Sequence, residues 1–264
     1  MPLSQADSLA VSRIHWAYSL QKEVAKAKWP AFSLDPARTT LVYKTRSASY
    51  VFAPNAAARR LPHVQLALPT SELIRTDSLI RGAGYIMSVS VATGDVFADR
   101  IEYESPVLFS SDVETTHATI PDVSTTEMWA TMLVHEMFHV YQRLLGYAGE
   151  GNQARKRLKA YHAETLGFAE RVRVENDMLL RLLAQPHPSR SQIEAYVDAR
   201  TARMRSMPED LQRAEFALEK IEGSGRYAEA NAMLAVASLP ADSTLSRLDS
   251  LYTGGSSFAD FDLS

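Results

Sequence analysis

Apolar residues recur along this chain at two different periods, and the change of period divides it. Between residues 8 and 28, Leu9, Ile14, Trp16, Tyr18, Leu20 and Val24 stand among charged positions at helical spacing, and Pro30 closes the run. From about residue 40 to 110 the period is two. Thr40–Lys44, Ala48–Ala53 and His63–Leu68 read as short strands punctuated by Pro54, Pro62 and Pro69. Gly84–Ala92 and Val96–Tyr103 read as two more, joined by the hairpin turn Ala92–Asp95. Alternating polar residues predict a sheet with one face in water. Beyond residue 120 the helical period returns. It predicts one long helix over 153–185, stopped by Pro186 and Pro188, and another over 190–206. A third runs from Pro208, as first-turn proline, to about Ser238, and Leu245, Leu248 and Leu251 mark a last, weak one. A mixed or antiparallel sheet followed by a helical half is α+β. One domain is expected, with a sheet-rich lobe over about residues 1–120 and a helical lobe over about 121–264.

Between those lobes, the stretch from Trp129 to Gln142 carries His135-Glu136-x-x-His139. On a helix, residues four apart lie within about 40° of each other and one turn apart, so both imidazoles can close on one metal ion. Glu136 lies about 100° round from His135 and about 60° from His139, close enough to hold a water beside the metal. The flanks favour the helix this spacing needs. Ser124-Thr-Thr-Glu127 has the form of a capping box, and Gly146 offers a stop. Trp129, Met132, Leu133, Met137, Phe138 and Tyr141 make it a core helix. Burying two histidines and a carboxylate without partners costs on the order of kcal/mol each, which weighs against a plain buried helix.

Composition narrows the partners. The chain has 264 residues, 46% hydrophobic and 22% charged, enough to bury a large core. A net charge of −3 gives no reason to expect nucleic acid or an anionic membrane surface, and no apolar run has the length of a membrane span. The first thirty residues scatter Asp7, Arg13, Lys22, Glu23, Lys26 and Lys28 through an amphipathic pattern, unlike a signal peptide. A soluble protein is expected, cytoplasmic, or secreted or periplasmic if a leader has been removed. The absence of cysteine excludes disulfides, thiolate zinc sites and a cysteine nucleophile. Composition leaves the oligomeric state open.

A catalytic zinc needs a third protein ligand. Gly223 and Gly225 interrupt an otherwise strong helix at roughly 1 kcal/mol each, which points to close approach of another backbone or a ligand. Glu222 stands immediately before them and is the first candidate. Glu175 and Glu164 are the others. Glu222 also fits an exposed stripe with Glu215, Glu219 and Arg226. Glu219 and Glu175 are candidates to accept the Nδ1–H of a ligand histidine.

His135-Glu-Met-Phe-His139-Val-Tyr-Gln142, followed far downstream by Glu222-Gly-Ser-Gly-Arg-Tyr227, resembles the zincin metallopeptidases of the gluzincin kind, the peptidase MA group. The resemblance implies a zincin fold, zinc held by His135, His139 and Glu222, Glu136 as general base and acid, and a peptide or protein substrate. It departs from the pattern at Gly225, where alanine is usual, and in the long separation of His139 from Glu222. The resemblance also implies a distant His or Tyr steadying the oxyanion; Tyr161, His162, His187 and Tyr227 are available, with core packing the expected role of Tyr227. Gluzincin aminopeptidases carry an acidic G-x-M-E-N segment, and the nearest stretch here, Arg81–Met87, has no glutamate. Endopeptidase activity is therefore expected, with a peptide added to a sheet edge within residues 84–103. The alternatives are a non-catalytic zinc- or peptide-binding module of zincin fold, which would not need Glu136 as a base, and a helical scaffold with a chance motif.

Overall fold

The computed structural model describes residues 4–32, 39–56, 58–66, 72–78, 87–90, 107–146 and 152–239. The chain forms two compact units, one of Met1–Tyr147 with Ser224–Ser264 and one of Ala148–Gly223. The second is inserted in the sequence of the first, between Tyr147 and Ser224, and includes Glu222. The architecture is α+β, with an N-terminal helix, a small mixed sheet and a helical C-terminal half.

In the first unit, helix α1 (Gln5–Lys28) starts at a capping box between Ser4 and Asp7 and buries Ala10, Ile14, Ala17, Tyr18 and Val24. The strands are β1 (Thr40–Lys44), β2 (Ser49–Phe52), β3 (Val64–Leu66), β4 (Leu73–Thr76), β5 (Met87–Ser90) and β6 (Val107–Ser111). They pair in the order β3-β4-β2-β1-β6-β5. The β1–β6 pair is parallel, with Val42 opposite Phe109, and the other pairs are antiparallel. The alternating pattern predicts neither β4 nor β6. The wet face is also corrected: β2 and β6 are buried along their whole length, and β1 everywhere except Lys44. Residues buried on both faces lose the polar alternation that marks a half-exposed strand. The turn Ala92–Asp95, the strand Val96–Tyr103 and the helix at Leu245–Leu251 lie outside the described residues, as does most of Arg81–Met87.

A short helix α2 (Val113–Thr119), capped by Asp112, leads from β6 to α3 (Thr126–Leu144), the helix of the histidine motif. Thr125, not Ser124, is its N-cap, accepting from the Met128 amide, so the cap stands one residue later than expected and methionine, not Glu127, holds the third helical position where a capping box needs a carboxylate or amide. Gly146 adopts φ 80°, a left-handed conformation open to glycine without penalty, and the helix stops there as expected. Trp129 fastens α3 to the sheet by donating from Nε1 to Ser110 Oγ (3.0 Å) and to the Ser111 carbonyl (2.9 Å). Arg13, 1% exposed, donates from α1 to Thr126 Oγ1, the Tyr43 hydroxyl and both oxygens of Glu114. This one guanidinium ties α1, β1, α2 and the start of α3 together. Helix α8 (Ser224–Ala237) packs its small residues Ala228 and Ala232 into the same core as Leu133, Met137 and Phe138.

The second unit holds α4 (Asn152–Glu164), α5 (Phe168–Leu183), α6 (Arg190–Arg205), α7 (Glu209–Leu218) and a π-helical turn, Glu219–Gly223. The single helix expected over 153–185 is broken at Gly167, whose φ of 72° no continuing helix can adopt. Pro208 sits at the N-cap of α7 rather than in its first turn. The helix expected from Pro208 to Ser238 is interrupted by the π turn. Leu158, Phe168, Met204, Met207 and Leu211 form this unit's core.

Candidate metal site

Helix α3 presents His135, Glu136 and His139 as a group whose ligand atoms lie within 4.8 Å of one another, and this group could hold a metal ion. His135 is buried, whereas Glu136 and His139 are partly exposed. Hydrogen-bond partners orient both imidazoles. His135 Nδ1 lies 2.9 Å from Glu229 Oε2, and His139 Nδ1 lies 2.8 Å from Gln142 Oε1. An ionised carboxylate only accepts, so His135 carries its proton on Nδ1 and turns a lone pair outward from Nε2. The two Nε2 atoms face each other 3.0 Å apart. Two nitrogens at about 2.0–2.1 Å from a tetrahedral zinc stand about 3.3 Å apart, so the pair needs only a small adjustment to share one ion.

Helix α8 supplies the other side of this arrangement. Gly225 and Glu229, one turn apart, both face His135. A Cβ on Gly225 would lie 2.9 Å from His135 Nε2 and 3.1 Å from Cε1, so the ring rests where any side chain would stand. The expectation of a close approach at these glycines holds for Gly225. At Gly223 an added Cβ would meet nothing within 4 Å. Ser224 Oγ accepts from Gln142 Nε2 at 2.7 Å, and Arg226 Nη1 donates to Glu229 Oε2 at 2.9 Å.

Most of the remaining candidates stand in the second unit. Glu222 stands in the π turn of the second unit, where its carboxylate accepts from Arg155. Glu175 is enclosed by arginines: Arg203 Nε donates to Oε2 at 2.5 Å, and Arg200 Nη1 and Arg203 Nη2 donate to Oε1 at 2.8 and 3.1 Å. Burial pushes the Glu175 carboxyl up, but the hydrogen bonds and charges of Arg203 and Arg200 outweigh it and hold the group below the usual carboxylate range. Glu219 accepts from Arg200. The partners of the histidine Nδ1 atoms are thus Glu229 and Gln142, and the expected Glu219 and Glu175 serve an ion network within the second unit instead. Glu164 and His187 are exposed. Tyr161 donates to the Ser206 carbonyl, and the His162 ring packs against Phe168. Tyr227, expected in the core, is 51% exposed with its ring edge toward Trp29. Gln142 and Glu229 carried a signal in the sequence: one stands three residues after His139, the other four after Gly225, and both spacings keep residues on one helix face.

No protein-family model matches the chain, and neither a curated protein nor a solved structure matches it.

Proposed function

We propose that this chain is a zinc-dependent metallopeptidase of zincin fold. The observation that carries the proposal is the convergence of His135 Nε2 and His139 Nε2, each on a ring whose Nδ1 is already engaged, with Glu136 beside them. Imidazole donors with a carboxylate suit zinc better than magnesium or calcium, which take mostly oxygen. His135 and His139 would hold the ion, and the resemblance assigns Glu222 as third ligand. Bound there, zinc would supply Lewis acidity toward a carbonyl oxygen and a water molecule. Glu136 takes the proton from the attacking water and delivers it to the departing amine. Glu229 and Gln142 hold the rings in place while it does so. Ligand assignment is tested by competition with a chelator. His135→Ala, His139→Ala and Glu222→Ala should each lose most of their zinc affinity. Glu175→Ala should keep it and lose about 3 kcal/mol of stability, because Arg203 is left partly unpaired. The depressed Glu175 pKa makes that contribution full above the unfolded carboxylate range, near pH 4.3, and lost as pH falls through the folded value. The melting difference between Glu175→Ala and the parent should therefore close in acid.

The substrate is read as an extended peptide, cut internally. Among the described strands β5 is an edge strand, paired antiparallel to β6, and an edge offers main-chain hydrogen bonds regardless of where a peptide ends. Peptides with blocked and with free amino termini, assayed side by side, test this reading. Comparable cleavage of both is expected, whereas stepwise release of single residues from free-ended peptides alone would make the protein an aminopeptidase.

A further inference from the structure

Of Glu229 and Gln142, which face the two imidazole Nδ1 atoms, only Gln142 can present either a donor or an acceptor. Glu229 can only accept from His135, but a glutamine amide offers Oε1 or Nε2 according to which way it is turned. The side chain is gripped at both ends. Its Oε1 faces His139 Nδ1 at 2.8 Å, and its Nε2 donates to Ser224 Oγ at 2.7 Å, in the first turn of α8. It is also 7% exposed, so water competes little for either end. Turned the other way, the amide would donate to Nδ1 and force the His139 proton onto Nε2. That proton would point at His135 Nε2, only 3.0 Å away, into the place an ion would occupy.

We propose that Gln142, braced by Ser224, is a positioning residue that holds His139 with its proton on Nδ1 and its Nε2 lone pair free for the metal. The claim rests on the metal reading of the site but not on peptide hydrolysis. It makes a signed prediction that a packing role does not. Gln142→Glu keeps the size and the oxygen facing Nδ1 and removes the donor; Gln142→Leu keeps approximate size and removes both. Cobalt(II) binding, followed by its visible absorption and by chelator competition, reads the difference. Gln142→Leu should bind about 10–100-fold more weakly, as loss of an outer hydrogen bond to a ligand histidine does. Gln142→Glu should bind at least as tightly as the parent. Ser224→Ala, which frees the amide's far end, should weaken binding roughly two- to tenfold. Thermal melting of the metal-free proteins identifies any variant that has not folded. Parent-like binding by Gln142→Leu, or binding by Gln142→Glu as weak as by Gln142→Leu, overturns this proposal alone. A folded parent protein that takes up no cobalt overturns the metal reading and this proposal together.

Discussion

Glu136→Gln is expected to retain about one metal ion per chain while peptide hydrolysis falls about 10³–10⁴-fold. The two effects separate because the groups are held separately. His135 is oriented by Glu229 and His139 by Gln142, and neither contact involves Glu136. Glutamine matches glutamate in size and can still accept a hydrogen bond, but it cannot take a proton. Glu136 is partly exposed, so the neutral amide meets no burial penalty and the fold should be unaffected. Metal analysis of the purified variant, beside a cleavage assay, reads both quantities from one preparation. Loss of the metal would make Glu136 a ligand rather than a base. Unchanged turnover would remove it from the chemistry.

The parts of this fold that were legible in the sequence are those whose periodicity one environment dictates. Helix α1 lies between core and solvent, and of the apolar positions its spacing marks, Ile14, Tyr18, Leu20 and Val24 are buried. β1 has the bounds its alternation predicts, whereas the pattern predicts no strand at Leu73–Thr76 or Val107–Ser111. In β6 every position is buried, so no alternation remains to be seen. The break in 153–185 was hidden for another reason. Both flanks of Gly167 are good helix, and only the backbone angle at the glycine separates a tolerated residue from a stop. At the site, local spacing fixed His135, Glu136 and His139 because one helix supplies all three. The partners that orient them depend on how α8 packs on α3, and that register is a tertiary fact. Glu229 stands among several acidic residues in its stretch of chain, and nothing local distinguishes it until Gly225 is seen against the His135 ring. For the same reason the sequence alone offers Glu175 and Glu219 as Nδ1 acceptors, whereas the arginines of α6 hold both.

Gly225→Ala is expected to cost at least 100-fold in metal affinity while the metal-free protein remains folded. The added methyl would sit 2.9 Å from Nε2, 3.1 Å from Cε1 and 3.2 Å from Cδ2 of His135, well inside ordinary van der Waals contact. A side chain with a free end could swing aside. This ring cannot do so cheaply, because its Nδ1 is held 2.9 Å from Glu229 Oε2, on the same helix as the new methyl. Relief comes from turning the ring out of its hydrogen bond or from lifting the start of α8 off α3. The first misdirects the Nε2 lone pair. The second also pulls Ser224 from Gln142 and so loosens His139. Overpacking of this kind costs about 1–3 kcal/mol, while alanine returns about 1 kcal/mol of helix propensity relative to glycine, so stability without metal should change by no more than about 2 kcal/mol. The damage is thus concentrated in the ligand geometry. Chelator competition and a melting curve on the same sample measure the two quantities. Parent-like affinity in Gly225→Ala would mean that α8 can draw back from His135 without disturbing the site, and that glycine here serves the helix pairing and not the metal.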